Sequence, residues 1–82
     1  MDIRIFLLGD LGARFGREHR LEFSEGLTAG EVRHRLIERI EGSAAALSAS
    51  GVRIAVDQTV VPDSTCLAPG QEVALLPVFS GG

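Results

Sequence analysis

The residues with the clearest potential for chemistry stand at the end of the sequence, which reads "PVFSGG". Glycine has no Cβ, so an extended Gly81-Gly82 can pass through a channel that is too narrow for any other residue. Phe79 and Ser80 complete the segment that we expect to thread into such a channel. The α-carboxyl group of Gly82 would then be within reach of an enzyme that never touches the rest of the chain.

A carboxyl group at this position needs activation by another protein, because a carboxylate is ionised at neutral pH and is a poor electrophile. The simplest activation forms an acyl-adenylate from ATP. Attack by an amine would then give a protein conjugate, whereas attack by sulfur would give a thiocarboxylate. The residues alone leave both products open, and an inert, frayed terminus is a third explanation of the diglycine.

The other nucleophilic and titratable side chains form no recognisable active site or metal site. Neither histidine stands in a partner motif for Cys66, and we interpret this thiol, next to Leu67, as a core-filling residue. We expect His19 and His34 to be surface residues. The glycine-rich segment "GDLGARFG" matches neither a dinucleotide fingerprint nor a P-loop, and we interpret it as a turn between two strands.

Composition favours a carrier, a binding module or a subunit over an independent enzyme. The 82 residues suffice for one domain, and a chain of this length buries only about 60% of its unfolded surface. A single cysteine excludes an internal disulfide and a multi-cysteine metal site, and we expect no bound cofactor. All eight basic residues are arginine, and the net charge of −3 argues against nucleic acid as a partner.

No apolar run approaches the roughly 18 residues of a membrane span, and the first residues lack the basic region of a signal peptide. We therefore expect a cytoplasmic protein that has no contact with a membrane.

Hydrophobic periodicity predicts strands around one main helix. The helix begins after the capping-box pair Thr28 and Glu31, and its apolar stripe repeats every four residues. We predict strands at 2–8, 19–23, 52–56, 59–61 and 72–79, a helix at 29–41, a tight turn at 57–58, and a loop or one helical turn at 43–50.

This order of elements indicates an α+β fold, because one helix with a single apolar stripe can cover only one face of a sheet. A right-handed crossover through the helix would set a later strand parallel to the first. We predict a ubiquitin-like β-grasp with a mixed sheet of about five strands. The domain would span residues 1–78, and residues 79–82 would form a flexible tail.

The segment "IAVDQTVVPDSTCLAPGQEVALLPVFSGG" resembles the C-terminal half of the small subunit of molybdopterin synthase, the MoaD-like sulfur carriers. The matching features are "AV-x-Q" before a short strand, "L-x-x-G-x-E-V-A" leading into the last strand, and the "P-V-x-S-G-G"-like end. The segment "FLLGDLGARFG" fits the first strand and loop of the same family. The resemblance therefore covers nearly the whole chain.

The resemblance implies that a ubiquitin-activating-type enzyme uses ATP to adenylate Gly82, and that a sulfur donor converts it to a thiocarboxylate. The tail would deliver this sulfur, inside the large subunit of molybdopterin synthase, to the dithiolene of molybdopterin. The family assembles as a heterotetramer, with two small subunits at opposite ends of a large-subunit dimer. No catalysis by side chains of this chain is implied.

The resemblance also implies a partner-binding set that comprises Leu76, Phe6, Leu8 and Arg14. Leu76 matches a large apolar residue that packs on the large subunit. The family often carries arginine where this chain has Gly12, and Arg14 or Arg17 would have to replace that contact.

Three alternatives stay open. A carrier with the same chemistry could serve thiamine thiazole synthesis or tRNA thiolation, although thiamine-type carriers are typically shorter and lack the segment "EGSAAALSASGV". The chain could be a ubiquitin-like protein modifier. It could also be a non-catalytic β-grasp interaction module with an inert tail.

Overall fold

The fold consists of a mixed β-sheet with one long helix packed against one of its faces. The computed structural model describes residues 1–78. In chain order the elements are β1 (Asp2–Leu7), α1 (Asp10–Phe15), β2 (Glu18–Glu22), α2 (Ala29–Arg39), α3 (Ala44–Leu47), β3 (Val52–Val56), β4 (Thr59–Val61) and β5 (Glu72–Pro77). The strand order is β2-β1-β5-β3-β4. The first and last strands of the chain therefore lie side by side near the middle of the sheet.

The pairing directions define the topology. Strands β1 and β5 run parallel, with Arg4 opposite Glu72 and Leu7 opposite Leu75, whereas every other neighbouring pair of these strands is antiparallel. Parallel neighbours need a crossover connection, and the segment that contains α2 supplies it. The predicted β-grasp, with about five strands and one main helix on one face, is confirmed.

The core lies between α2 and the face of the sheet that this helix covers. Alternate residues of β1 and β5 point into it, and Val32 and Leu36 of α2 are fully buried against them. Fully burying one such side chain contributes roughly 1.5–3 kcal/mol. The fully or almost fully buried strand residues on this face are Ile3, Ile5, Leu7, Ile54, Val73 and Leu75.

Helix α2 begins as its capping box predicts. The backbone N–H of Glu31 donates to Oγ1 of Thr28 at 3.2 Å, and the N–H of Thr28 donates to Oε1 of Glu31 at 3.3 Å. The helix ends at Arg39, two residues before the predicted end, because Ile40 already adopts an extended backbone with φ −100° and ψ 106°.

Arg33 connects α2 to the beginning of β3. Its guanidinium donates to the carbonyl oxygens of Leu47 and Val52, both at 3.1 Å, and to the Asp63 carboxylate at 3.2 Å. The side chain is only 15% exposed. Arg33 therefore links α2 to the end of α3 and to the first residue of β3.

The glycine-rich segment after β1 differs from its prediction as a turn, because it contains the six-residue helix α1. Gly9 and Gly16 flank this helix with φ of +57° and +95°, which glycine adopts without strain. Leu11 is buried in the core and Phe15, four residues later, packs against it. This tertiary packing stabilises a helix that would be too short to persist alone.

The interpretation of Cys66 as a core-filling residue is wrong, because its side chain is exposed. Leu67 is buried instead, and its backbone N–H donates to the carbonyl oxygen of Leu27 at 2.8 Å. His34 is exposed as predicted, with Nε2 lying 3.9 Å from Glu38. His19 is half-buried, and its Nε2 lies 3.0 Å from the carbonyl oxygen of Phe15 at the end of α1.

The remaining predictions agree with the structure to within a residue or two. Strand β3 has the predicted bounds, and the predicted turn forms at Asp57 and Gln58, which both have positive φ as a two-residue hairpin turn requires. Segment 43–50 contains one helical turn, α3. Strand β5 ends at Pro77, and the predicted tail 79–82 lies outside the described residues.

Candidate partner-binding surface

The sheet face that α2 does not cover, called the outer face below, carries the second set of alternating strand residues. One row crosses four strands: Phe6 lies opposite Ala74, Ala74 opposite Ala55, and Ala55 opposite Val60. The two alanines in the middle are small, while Phe6 and Val60 at the ends are large. A depression therefore forms between them.

This depression is an apolar groove of about 350 Å³, called the outer groove below. Leu8 and Val60 are 43% and 56% exposed, although both are large apolar side chains. Contiguous exposed apolar surface on a small protein typically marks a site of association. The apolar side chains that line the groove are Phe6, Leu8, Ala55, Val60, Ala74 and Leu76.

Charged residues border the groove next to Phe6. The Arg4 guanidinium lies 5.2 Å from the centre of the Phe6 ring, and Nε of Arg4 lies 3.4 Å from the Glu18 carboxylate. Both side chains of this ion pair are about half exposed, so it contributes little to stability. Its geometric effect is to hold a cation over the ring at one end of the groove.

Strand β5 links the outer groove to the diglycine. Leu76 lies on the outer face opposite Arg53, and the backbone N–H of Val78 donates to the carbonyl oxygen of Gly51 at 2.6 Å. The chain is therefore held in the sheet up to Val78. The predicted site residues Phe79, Ser80, Gly81 and Gly82 come directly after it and lie outside the described residues.

The structure brings three of the four predicted partner-binding residues together, namely Phe6, Leu8 and Leu76. Arg14 lies elsewhere, on α1, where its guanidinium is 4.8 Å from the centre of the Phe15 ring and 3.9 Å from the Asp10 carboxylate. A binding role for Arg14 stays a prediction. Arg17 adjoins the outer groove, because it lines a smaller depression together with Phe6 and Leu8.

The sequence prediction missed Ala55 and Val60. The alternation of β3 places the side chain of Ala55 on the other sheet face from those of Ile54 and Val56. This pattern would have indicated that Ala55 lies on the outer face. Val60 could be placed only with the register across the turn after β3, which sets Val60 opposite Ala55.

Gly12 has no room for the arginine that the resemblance would favour there. A Cβ at this position would collide with the carbonyl oxygen of Leu7 and lie 3.1 Å from Cγ of Arg17. The backbone approaches so closely because Gly12 is buried in α1 against the end of β1. Any longer side chain would push α1 away from the sheet.

Among residues 1–78, no group of three or more histidine, cysteine, aspartate and glutamate side chains is arranged to hold a metal ion. Over the same residues, none of the helices has the length and apolar character that crossing a membrane requires.

A five-stranded β-grasp with an uncovered apolar face, leading into a diglycine, defines the class of small ubiquitin-like domains. The model of the ThiS family matches residues 5–82, almost the whole chain, and the chain belongs to this family. No curated protein sequence matches the chain significantly.

Solved structures share the fold at low sequence identity. The crystal structure of SAMP1 from Haloferax volcanii is 20% identical, with full coverage of both chains and a TM-score of 0.86. A chain in the complex of subunits 1 and 2 of molybdopterin-converting factor from Helicobacter pylori 26695 is 19% identical, with full coverage of both and a TM-score of 0.68.

Ubiquitin of Caldiarchaeum subterraneum is 21% identical, with a TM-score of 0.62 and coverage of 100% of this chain and 98% of that one. At these identities the similarity concerns the fold. Together with the family match, it confirms the resemblance to MoaD-like, ubiquitin-like sulfur carriers at the level of family and fold.

Proposed function

We propose that this chain is the sulfur-carrying subunit of a molybdopterin synthase. Its working group would be the carboxyl of Gly82, and its globular part would be the handle by which other proteins bind it. The observation that carries the proposal is the position of the outer groove. Its residue Leu76 lies on β5, the strand that leads to the diglycine, so a partner bound there would be next to the tail.

The chemistry proceeds in three steps, and other proteins catalyse all of them. A ubiquitin-activating-type enzyme joins the Gly82 carboxylate to the α-phosphate of ATP and releases pyrophosphate. A sulfur donor then attacks the acyl-adenylate, displaces AMP and leaves a thiocarboxylate. Finally, each thiocarboxylate transfers its one sulfur atom to the pterin substrate, and water restores the carboxylate. Two charged chains are therefore needed to supply the two sulfur atoms of the dithiolene.

The proposal assigns no cofactor to this chain, because ATP is consumed by the activating enzyme. Its proposed dependence on an ATP-consuming enzyme would also place the protein in the cytoplasm. Four residues follow Val78, and fully extended they span at most about 14 Å. The active site of the partner would therefore have to lie within that distance of the end of β5.

The proposed partner on the outer groove is the large subunit of the synthase, in a heterotetramer of two small and two large subunits. The similarity to the subunit complex from Helicobacter pylori supports this choice. Phe6, Leu8 and Leu76 would supply the apolar contact, and Arg14 or Arg17 the polar contact beside it. The activating enzyme would need the same tail, so it would bind before the large subunit.

A protein modifier is the second candidate. It is favoured by the similarity in fold to SAMP1, the small archaeal modifier protein 1 of Haloferax volcanii, at a TM-score of 0.86. The first step would be the same, but the acyl-adenylate would pass to an amine of a target protein instead of to sulfur. Carriers for thiamine thiazole synthesis or tRNA thiolation would share the thiocarboxylate and differ only in the recipient.

Reconstitution tests the proposal. The chain, the large subunit of the same organism, an activating enzyme, ATP, sulfide and the cyclic pterin precursor should together yield molybdopterin. A variant that carries one additional alanine after Gly82 should bind the large subunit normally and yield none, because its carboxyl is displaced by one residue. Thiocarboxylate formation without molybdopterin would reject this recipient and favour another sulfur acceptor. Conjugates to lysines of other proteins would favour the modifier.

A further inference from the structure

The two edges of the sheet differ in how much backbone they offer to another strand. Strand β4, at one edge, has only three residues, and it is followed by Pro62, which has no N–H to donate. Strand β2, at the other edge, has five residues with the sequence "EHRLE". An edge strand is a template on which another chain can add a strand. The edge of β2 is therefore the one that needs protection.

The register of β1 and β2 shows which backbone groups of β2 face outward. The N–H of Leu7 donates to the carbonyl oxygen of Arg17, and the N–H of Phe23 donates to that of Met1. In an antiparallel pair, hydrogen-bonded positions alternate with positions that make no bond to the neighbouring strand. The residues of β2 whose N–H and C=O point away from β1 are therefore Glu18, Arg20 and Glu22.

Two arginines of α2 cover this edge. Nη1 of Arg39 donates to the carbonyl oxygen of Arg20 at 2.5 Å. Nη1 of Arg35 lies 3.5 Å from the carbonyl oxygen of Glu22, and its Nη2 lies 3.5 Å from Oγ of Ser24. Two outward carbonyl groups of β2 therefore face a guanidinium of their own chain.

The spacing of the arginines matches the spacing of these carbonyl groups. Arg35 and Arg39 are four residues apart, which is about 6 Å along a helix axis. Two residues along a strand span about 6.8 Å. The later arginine reaches the earlier carbonyl group, so α2 runs antiparallel to β2. The pair can therefore reach both carbonyl groups at once.

We propose that Arg35 and Arg39 close the edge of β2 against a second copy of this chain. Without them, β2 of one molecule would pair with β2 of another, and the two sheets would join into one. The cover keeps the free protein monomeric. The inference goes beyond the sulfur-carrier proposal and does not depend on it, because this edge belongs to the globular part whatever the tail carries.

The charges of the edge favour a second copy as the occupant. Glu18, Arg20 and Glu22 lie on one face of the sheet and alternate in sign. If two β2 strands pair antiparallel about Leu21, Arg20 of each copy lies opposite Glu22 of the other. Cross-strand pairs of opposite charge stabilise a sheet. The backbone groups at the same positions point outward, so this pairing also provides them with hydrogen-bond partners.

Removing both arginines tests the cover. In sedimentation, the unmodified chain should behave as a monomer, whereas Arg35→Ala/Arg39→Ala should approach twice the monomer mass as its concentration rises. Alanine has the highest helix propensity, so α2 should persist. The two substitutions lower the formal net charge from −3 by two units, to −5, so general repulsion would oppose this association.

Amide hydrogen exchange, followed by nuclear magnetic resonance, locates the contact. The amides of Arg20 and Glu22 should exchange more slowly as the concentration of the double variant rises, and that of Val60, at the other edge, should not change. Adding Arg20→Glu makes all three outward residues glutamate and should return the double variant to a monomer. Arg53→Glu makes the same charge change at an exposed position of β3, inside the sheet, and should not.

A matched control and a milder variant complete the test. His34→Ala/Glu38→Ala removes two exposed side chains with the same spacing on α2, and it should leave the chain monomeric. If the double arginine variant does not fold, Arg39→Ala, at an exposed position, uncovers the Arg20 carbonyl alone and should still cause weaker association.

Four results would overturn the inference. They are pairing of the unmodified chain through β2, a folded arginine variant that stays monomeric, association that leaves the amides of Arg20 and Glu22 unprotected, and equal association of the control on α2. Association that survives Arg20→Glu would also contradict it. None of these results depends on whether Gly82 carries sulfur.

Discussion

The two faces of the sheet are both apolar, but they differ in the size of their central side chains. On the face that α2 covers, isoleucine, leucine and valine side chains of the strands are buried to 0–6% exposure. On the outer face, Ala55 and Ala74 occupy the middle and leave a groove between Phe6 and Val60. Alternate residues of the same strands therefore form the buried core on one side and an exposed apolar groove, the candidate surface for association, on the other.

The contrast is sharpest at two neighbouring residues of β5. Leu75 is fully buried against the core, whereas Leu76 is half-buried and lines the outer groove. The two side chains are chemically identical, and only the alternation of the strand gives them different surroundings. Substituting each in turn therefore separates folding from partner binding.

The largest effect should follow Leu75→Ala. Removing a fully buried leucine side chain leaves a cavity and should lower the free energy of unfolding by about 2–5 kcal/mol. Urea denaturation followed by circular dichroism measures the change. A loss below about 1 kcal/mol would mean that the covered face is not the main source of stability.

Leu76→Ala should have the opposite profile. The free energy of unfolding should fall by no more than about 1 kcal/mol, because the side chain is only half-buried. Binding to the proposed large subunit should weaken by about 2 kcal/mol, roughly a 30-fold rise in Kd. Calorimetric titration measures this. Unchanged affinity in a folded variant would remove the outer groove from the proposed interface.

Thr28→Ala weakens the start of α2, the helix that covers one face of the sheet, without changing a strand residue. Loss of the capping hydrogen bond should lower the free energy of unfolding by about 1 kcal/mol, and partner binding should not change. Ser64→Ala, at an exposed serine in the loop after β4, is the matched control and should be neutral. Equal effects of the two substitutions would contradict a specific role for the cap.

The smallest effect should follow Arg4→Gln on the outer face. It removes the cation over Phe6 and the ion pair with Glu18, so the expected loss in free energy of unfolding is about 0.5–1 kcal/mol at low salt. Screening at 1 M salt should reduce the ion-pair part of this loss. If the loss in free energy of unfolding is the same at low and high salt, the ion pair with Glu18 makes no contribution to it.

The difference between the faces also explains what the sequence could predict. The bounds of β3 and the start of α2 were predictable, because alternation and the capping pair of Thr28 and Glu31 are local patterns. The membership of Leu76 in the outer face followed from the same alternation. The groove did not, since it depends on the register that sets Ala55 opposite Ala74 across two strands distant in sequence.

The two wrong predictions, those for α1 and Cys66, also arise from contacts between residues that are distant in sequence. Helix α1 lies in a glycine-rich segment with weak helical preference, and it forms because Leu11 is buried against residues from other parts of the chain. Cys66 was expected to be buried because it stands beside Leu67, but the backbone places only Leu67 toward the core. Tertiary contacts decided both cases, and neither is a local property of the sequence.

The central claim is that the working part of this protein is the carboxyl group of Gly82, which other proteins activate and use. Mass spectrometry of the intact chain, after incubation with ATP, sulfide and a cognate activating enzyme, tests it most directly. The account predicts that one oxygen is replaced by sulfur, and that fragmentation locates the change at Gly82. A chain that remains unmodified under conditions in which a known carrier is converted would contradict the claim.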